Sequence, residues 1–296
     1  VTASVSSPQA NRQNETCMLD LPGDYAAPSV EADDRMTDTH DPYAALARYY
    51  DSENADRTDD IAFFIDLTEQ YGYPALVIGC GTGRIAFPLA AGGAPVTGID
   101  LSRSMLDIAQ ARAARQGIDE ARMDWHAADV RNFSLPARYR LAVFPYNGFM
   151  HMLTQSDQLA GLARIAAHLE PGGALALDLD NPVTLFRYED SNSISFERTF
   201  IDQHTGHSVM QQSLVSLDRA AQLMHITWIY DRISDSGQVL RDVIPMDVRM
   251  TFAPEMVLLL HRSGFEDISI YGDYDFSPYE EDSPHMLVVA TRKETG

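Results

Sequence analysis

The chain has little positive charge, little cysteine and no long apolar run. Of its 296 residues, 22 are Lys or Arg against 43 Asp or Glu, and Lys293 is the sole lysine. The net charge of −21 repels a phosphate backbone, and no basic stripe offsets it, so no nucleic-acid partner is expected. The acidity reads as a solvated surface. Only Cys17 and Cys80 are present, too few and too differently placed for a disulfide framework. Cys80 sits in a glycine turn, where a small buried filler is expected before a nucleophile. No apolar stretch approaches the roughly 18 residues of a membrane helix, so no membrane partner is expected. A basic-then-apolar leader pattern is also lacking at the start, which makes the cytoplasm the expected compartment. His204 and His207 flank a glycine without clustered carboxylates, so no metal site is expected. A Gly-x-Ser-x-Gly nucleophile elbow is missing too.

What is present is the hydrophobic content of a globular protein, 45%. The length suits one large core, or one domain with an insertion. Residues 1–38, rich in Ser, Asn, Asp, Glu and Pro, read as a flexible acidic tail, and 39–296 as the ordered part. Tyr43–Asp51 carries apolar residues at helical spacing, as does the stretch holding Ile61, Phe63, Phe64, Ile65 and Leu67. Strand patterns at 75–79, 95–100, 123–127, 140–145 and 174–179 then alternate with helix patterns at 83–91, 102–116 and 155–169. Ser102 is placed as an N-cap. Such alternation predicts an α/β fold with a parallel sheet and crossover helices. After Asn181-Pro182 the pattern changes. Residues 192–200, 207–217, 222–232 and 239–252 favour strands, with turns at His204-Thr205-Gly206 and Ser234–Gly237. An antiparallel insertion over 185–250 is expected. A helix from Pro254 to Gly264 and strands near 266–271 and 285–292 close the chain.

The densest signal lies in residues 75–100. The apolar run Leu76-Val77-Ile78 enters the turn Gly79-Cys80-Gly81-Thr82-Gly83-Arg84, and a second run, Val96 to Ile99, ends in Asp100. Strand, tight turn, helix, strand and carboxylate make the nucleotide-binding half of a Rossmann-like sheet. Glycine lets the backbone approach a ligand where a Cβ would clash. Asp100 stands where ribose hydroxyls need an acceptor. The dinucleotide fingerprint wants a third glycine where Arg84 stands, which counts against a nicotinamide-dependent oxidoreductase.

Gly79-x-Gly81-x-Gly83 resembles the first motif of class I S-adenosylmethionine-dependent methyltransferases. Further likenesses follow in order: Asp100–Leu106 resembles the second motif and Ala128-Asp129-Val130 the third. Leu141–Asn147 resembles strand four, and Leu169–Gly173 the turn before strand five. The match spans about residues 43–182. One position departs: the family usually carries an acidic residue where Val77 stands. The resemblance implies a doubly wound sheet of seven strands, mostly parallel with one antiparallel C-terminal strand. It also implies S-adenosylmethionine as cofactor.

On that resemblance, Gly79, Cys80, Gly81 and Gly83 approach the cofactor, and Asp100 accepts from its ribose. Leu101, Met105 and Val130 meet the adenine, and Asp129 accepts from the adenine amino group. Arg57 or Arg84 pairs with the methionine carboxylate. Tyr43 and Tyr50 fold over the site, and Asn147 bonds the cofactor amine or the acceptor. The loop Tyr146–His151, Phe149 included, faces the acceptor, with His151 as the candidate base. Arg249, on the insertion, is placed to reach an anionic group of the acceptor. Each of these residues also has a plain structural reading: packing for the apolar ones, capping or surface pairing for the charged ones. Transfer from a sulfonium needs alignment more than covalent chemistry, and orientation alone is worth about 7–11 kcal/mol. The leading expectation is methyl transfer to nitrogen or oxygen of a small molecule. A non-catalytic module of the same fold, or a methyltransferase for a basic protein, stands as the alternative. A homodimer is compatible with the sequence.

Overall fold

The computed structural model describes residues 41, 43–119, 122–188 and 193–294. The tail expected over residues 1–38 lies outside them. Helices α1 (Ala44–Glu53) and α2 (Asp59–Tyr71) come first. α2 places Asp59 and Asp60 in its first turn, where the helix's partial positive charge favours them, and buries Phe63, Phe64 and Leu67.

The sheet then alternates β1 (Ala75–Ile78), α3 (Ala86–Ala90), β2 (Val96–Asp100), α4 (Arg103–Gln116), β3 (Met123–Ala127) and β4 (Tyr139–Phe144). A 3₁₀ turn (Gly148–His151), α5 (Gln155–His168), β5 (Leu169–Asp180) and the short α6 (Pro182–Phe186) follow. Ser102 caps α4 as its sequence predicts, its Oγ accepting from Met105 N at 3.2 Å. β1 pairs in parallel with β2 on one side and β4 on the other. Strand order therefore reverses at β1, which opens a crevice beyond the carboxyl ends of the strands.

Both faces of the sheet are buried. In β1, Ala75 and Val77 join one cluster with Phe63 and Phe64 of α2 and Leu106 of α4. Leu76 and Ile78 join the other, with Leu162 and Ile165 of α5. Val77 is thus fully enclosed by apolar side chains. A carboxylate there would carry the cost of an unpaired buried charge.

Beyond α6 the chain forms an antiparallel meander, β6 (Ser195–Ile201), β7 (Ser208–Asp218), β8 (Leu223–Ile233) and β9 (Val239–Arg249), in that spatial order. α1 anchors it. Leu46 and Tyr49 pack against Val209, Tyr230 and Ile244, and the Tyr49 and Tyr230 rings stack 4.5 Å apart at 3°. α7 (Ala253–Arg262), β10 (Phe265–Tyr271) and β11 (His285–Arg292) complete the chain. The main sheet runs β3-β2-β1-β4-β5-β11-β10, with β11 antiparallel to both neighbours. Seven strands, six of one direction, match the expected fold class.

Candidate active site

A cavity of about 500 Å³ lies beyond β1, β2 and β4, between the glycine turn, α1 and one face of the insertion sheet. Gly79 (φ +59°) and Gly81 (φ +54°) both take left-handed backbone. A Cβ on Gly81 would meet only the Tyr50 ring, at 3.9 Å across the cavity. The Thr82 hydroxyl donates to Asp51 at 2.6 Å and ties the turn to α1. Cys80 lines the cavity, and burial raises its thiol pKa well above the ordinary value.

Gly83 corrects the expectation that all three glycines face the ligand. It is not among the lining residues, and a Cβ on it would lie 2.6 Å from the Phe87 ring and 3.0 Å from Trp125. Its smallness serves packing beneath the turn.

Asp100, at the end of β2, is held by two backbone amides. Gly81 N donates to Oδ2 at 2.7 Å and Ser102 N to Oδ1 at 2.8 Å. Burial raises its pKa, against the lowering effect of those amides. Each oxygen keeps acceptor capacity toward the cavity. Leu101 is 58% exposed at the rim, while Met105 is buried and Val130 half-buried along the wall. Asp129 also lines the cavity, but its carboxylate is engaged. Arg131 donates to it from Nε at 3.0 Å and from Nη2 at 2.5 Å, and this pairing lowers the Asp129 pKa.

The two candidate cations separate. Arg84 directs its fork at the fully buried Asp60, at 2.8 and 2.6 Å. Its guanidinium is spoken for by a neighbour on α2. Arg57 instead lies over the Tyr146 ring, 4.4 Å from its centroid, and among the described residues no carboxylate lies within ion-pair distance of it.

Tyr146 (φ +49°) and Asn147 (φ +62°) both take left-handed backbone, a strained conformation for Tyr. The end of β5 over-determines it. Tyr146 N donates to Asp178 Oδ2 at 3.0 Å, and Asn147 N donates to the Asp178 carbonyl at 2.9 Å. Asn147 also exchanges two bonds with Asp180, its Nδ2 donating to Oδ2 at 2.8 Å and its Oδ1 accepting from Asp180 N at 2.6 Å. The turn thereby presents the Tyr146 ring to the cavity. Asn147 lines the cavity with its amide already committed. Phe149 departs from its expected place at the acceptor. It is fully buried and packs edge-on to Phe144, with ring centroids 6.2 Å apart.

His151 does line the cavity, with the Tyr43 ring edge-on at 5.5 Å. Burial pushes its pKa down to about 4, against a smaller raising effect from a hydrogen bond to the Asp247 backbone. The imidazole is therefore neutral at pH 7. Tyr43 and Tyr50 border the same space, and burial pushes the Tyr50 hydroxyl up to about 12.

Arg249 is the clearest departure. It is 7% exposed, outside the cavity lining, and donates to the Ala221 carbonyl at 2.8 Å, Gln222 Oε1 at 3.1 Å and Glu255 Oε1 at 3.0 Å. It clamps the end of β9 to the first turn of α7 and faces no acceptor. Sequence reading also passed over Asp178 and Asp180, and over Glu53, Trp228 and Tyr230 in the cavity wall. The two Asp residues end an apolar strand as Asp100 does, so the same signal was there. Among the described residues no three His, Cys, Asp or Glu side chains cluster as a metal site, and no helix is long and apolar enough to cross a membrane.

Comparison with known proteins bears on the same residues. The family model described as a methyltransferase domain matches residues 75–173. A cypemycin N-terminal methyltransferase from a Streptomyces species is 26% identical, over 92% of this chain and 99% of that protein. A dTDP-3-amino-3,6-dideoxy-alpha-D-glucopyranose N,N-dimethyltransferase of Streptomyces fradiae is 32% identical over 35% of this chain and 38% of its own. Among solved structures, an amino pentose methyltransferase from Micromonospora echinaspora with S-adenosylmethionine bound superposes with a TM-score of 0.64. It is 22% identical, covering 85% of this chain and 96% of that one.

Proposed function

The chain belongs to the class I S-adenosylmethionine-dependent methyltransferases, and from that premise we propose that its acceptor is a small molecule methylated on an amino nitrogen. It is an enzyme of methyl transfer, and S-adenosylmethionine is its cofactor.

The residues at the turn fit that cofactor on chemical grounds. Asp100 offers acceptor capacity to a pair of hydroxyls, and Leu101 is an exposed apolar surface that a flat base would cover. Arg57 is a guanidinium with no carboxylate in ion-pair distance among the described residues, suited to the methionine end. Asp129 reaches an adenine amino group only by sharing its oxygens with Arg131. The cofactor supplies a methyl group made electrophilic by a sulfonium. The protein's part is to bind, orient and exclude water. Tyr43, Tyr50 and Tyr146 present aromatic surface to the site, and π faces suit a cation.

The observation that supports the small-molecule reading is the depth of the cavity, which is walled on several sides but partly open to solvent. Trp228, Tyr230, Met224 and Met246 of the insertion sheet form one wall, and the other walls belong to α1 and the main sheet. Nitrogen is favoured because one relative above is named an N-terminal methyltransferase and the other an N,N-dimethyltransferase. Among the described residues, His151 is the one imidazole positioned for a second reading, a hydroxyl acceptor, but a pKa pushed down to about 4 leaves it a weak base at pH 7.

The test is transfer of labelled methyl from S-adenosylmethionine to a panel of small amines, each beside its alcohol counterpart. Label on the amines alone is the expected result. Label on the alcohols would replace nitrogen by oxygen, and none on either panel would count against a small-molecule acceptor.

A further inference from the structure

Glu53 is the last residue of α1, where the helix's partial negative charge opposes a carboxylate. It lines the cavity, and burial raises its pKa. Its oxygens accept from Gln211 Nε2 at 2.7 Å and from the Tyr230 hydroxyl at 3.0 Å. Both donors are neutral and buried. A carboxylate has room for about four such bonds, so acceptor capacity remains.

Among the described residues, no cation lies within ion-pair distance of Glu53. The nearest guanidiniums turn elsewhere: Arg198 donates to the Glu53 backbone carbonyl at 3.0 Å, and Arg57 lies over Tyr146. Glu53 is half-buried, and Arg198 and Arg57 lower its pKa only through space, so neither helix position nor a direct ion pair accounts for a carboxylate here. The same cavity presents the ring of Trp228, while the Tyr146 ring already carries the Arg57 guanidinium at 4.4 Å and that of Arg84 at 5.5 Å. A carboxylate beside an aromatic face is the chemistry that selects an ammonium group.

We propose that Glu53 receives the acceptor's amine as an ammonium, against the aromatic wall of Trp228, and takes its proton, which frees the nitrogen lone pair to displace the sulfonium. The proposal rests on the methyltransferase reading above and narrows its acceptor to a cationic amine. It makes Glu53 a specificity-determining residue, distinct from His151.

The test uses full-length protein saturated with S-adenosylhomocysteine and titrated calorimetrically with benzylamine and with benzyl alcohol, two probes of one size that differ in charge. Wild type is expected to prefer benzylamine by about tenfold or more, the scale of a desolvated cation contact. Glu53→Gln keeps partners for Gln211 and Tyr230, and is expected to bring the ratio near one while holding S-adenosylhomocysteine affinity within about twofold. Equal binding of the two probes by wild type, absence of benzylamine binding, or a preference that survives in Glu53→Gln overturns the proposal and leaves the cofactor assignment standing. Failure of S-adenosylhomocysteine to bind wild type would remove the reading beneath it, and the proposal with it.

Discussion

Gly81 and Gly83 belong to one motif, yet the structure gives them different work, and alanine at each separates the two. Gly83 takes φ +88°, and a Cβ there would lie 2.6 Å from the Phe87 ring and 3.0 Å from Trp125. Left-handed backbone costs alanine about 1–2 kcal/mol, and forced overpacking of a core adds about 1–3 kcal/mol. Gly83→Ala should therefore lose about 2–5 kcal/mol. That is roughly 4–20 °C in Tm at about 2–4 °C per kcal/mol for a domain of this size. Gly81 bears the same backbone cost, but its Cβ would meet nothing nearer than the Tyr50 ring at 3.9 Å. Gly81→Ala should thus lose only about 1–2 kcal/mol of stability. Its methyl group would enter the cavity, and S-adenosylhomocysteine affinity should fall on the order of 10- to 100-fold, the equivalent of about 1–3 kcal/mol. Thermal unfolding and calorimetry on both variants decide the matter. A stable Gly83→Ala that cannot bind, or a Gly81→Ala that binds like wild type, would refute this division.

Three further outcomes follow from the same geometry. His151→Ala should leave S-adenosylhomocysteine affinity intact and cut turnover by roughly 100-fold if the imidazole takes the acceptor's proton; unchanged turnover removes it from the mechanism. Asp60→Asn strands the buried Arg84 fork without its charge partner and should cost about 3–5 kcal/mol by denaturant titration, against near-neutral loss if the pair is dispensable. Asp178 is pushed up to about 6 by burial, with Asp60 and Asp180 raising it further and the Tyr146 amide and His285 opposing. The native state therefore holds a proton that the unfolded chain releases between about pH 4 and pH 6, and this contribution to stability is lost as pH rises through 6. The Tm of Asp178→Asn should accordingly gain on wild type between pH 4.5 and pH 7.5, and a loss over that range would contradict the burial account.

Much of this was legible beforehand, for physical reasons that differ by element. Strands such as 123–127 and 285–292 stand where alternation and apolar runs put them, and Ser102 caps α4, its Oγ accepting from Met105 N while the hydroxyl donates to Asp41 Oδ2 at 2.8 Å. The short α6 and the 3₁₀ turn at Gly148–His151 are too brief to show a period. β5 runs from Leu169, earlier than expected, because the Pro-Gly-Gly stretch forms an irregularity within the strand and does not end it. The site residues divide by how local their cause is. Gly81 and Asp100 are set by a turn and a strand end, and both line the cavity. Arg249 lies outside the cavity, and Arg84, which lines it, turns its fork to Asp60, because what holds both is tertiary. Asp60 is on α2 and Glu255 on α7, while Phe149 is held locally by Phe144 at the end of the preceding strand. No spacing rule foretells Asp60 or Glu255 as partners. Val77 gave a misleading cue in the same way: its side chain belongs to the core face of β1, and the cavity meets Ile78 and Gly79 instead.

The central claim is that this turn binds S-adenosylmethionine, and its most direct test is calorimetric titration of the full chain with S-adenosylhomocysteine, run beside NAD. The account predicts one site for the former with micromolar or tighter affinity and no heat from the latter. Binding of NAD, or of neither, would contradict it.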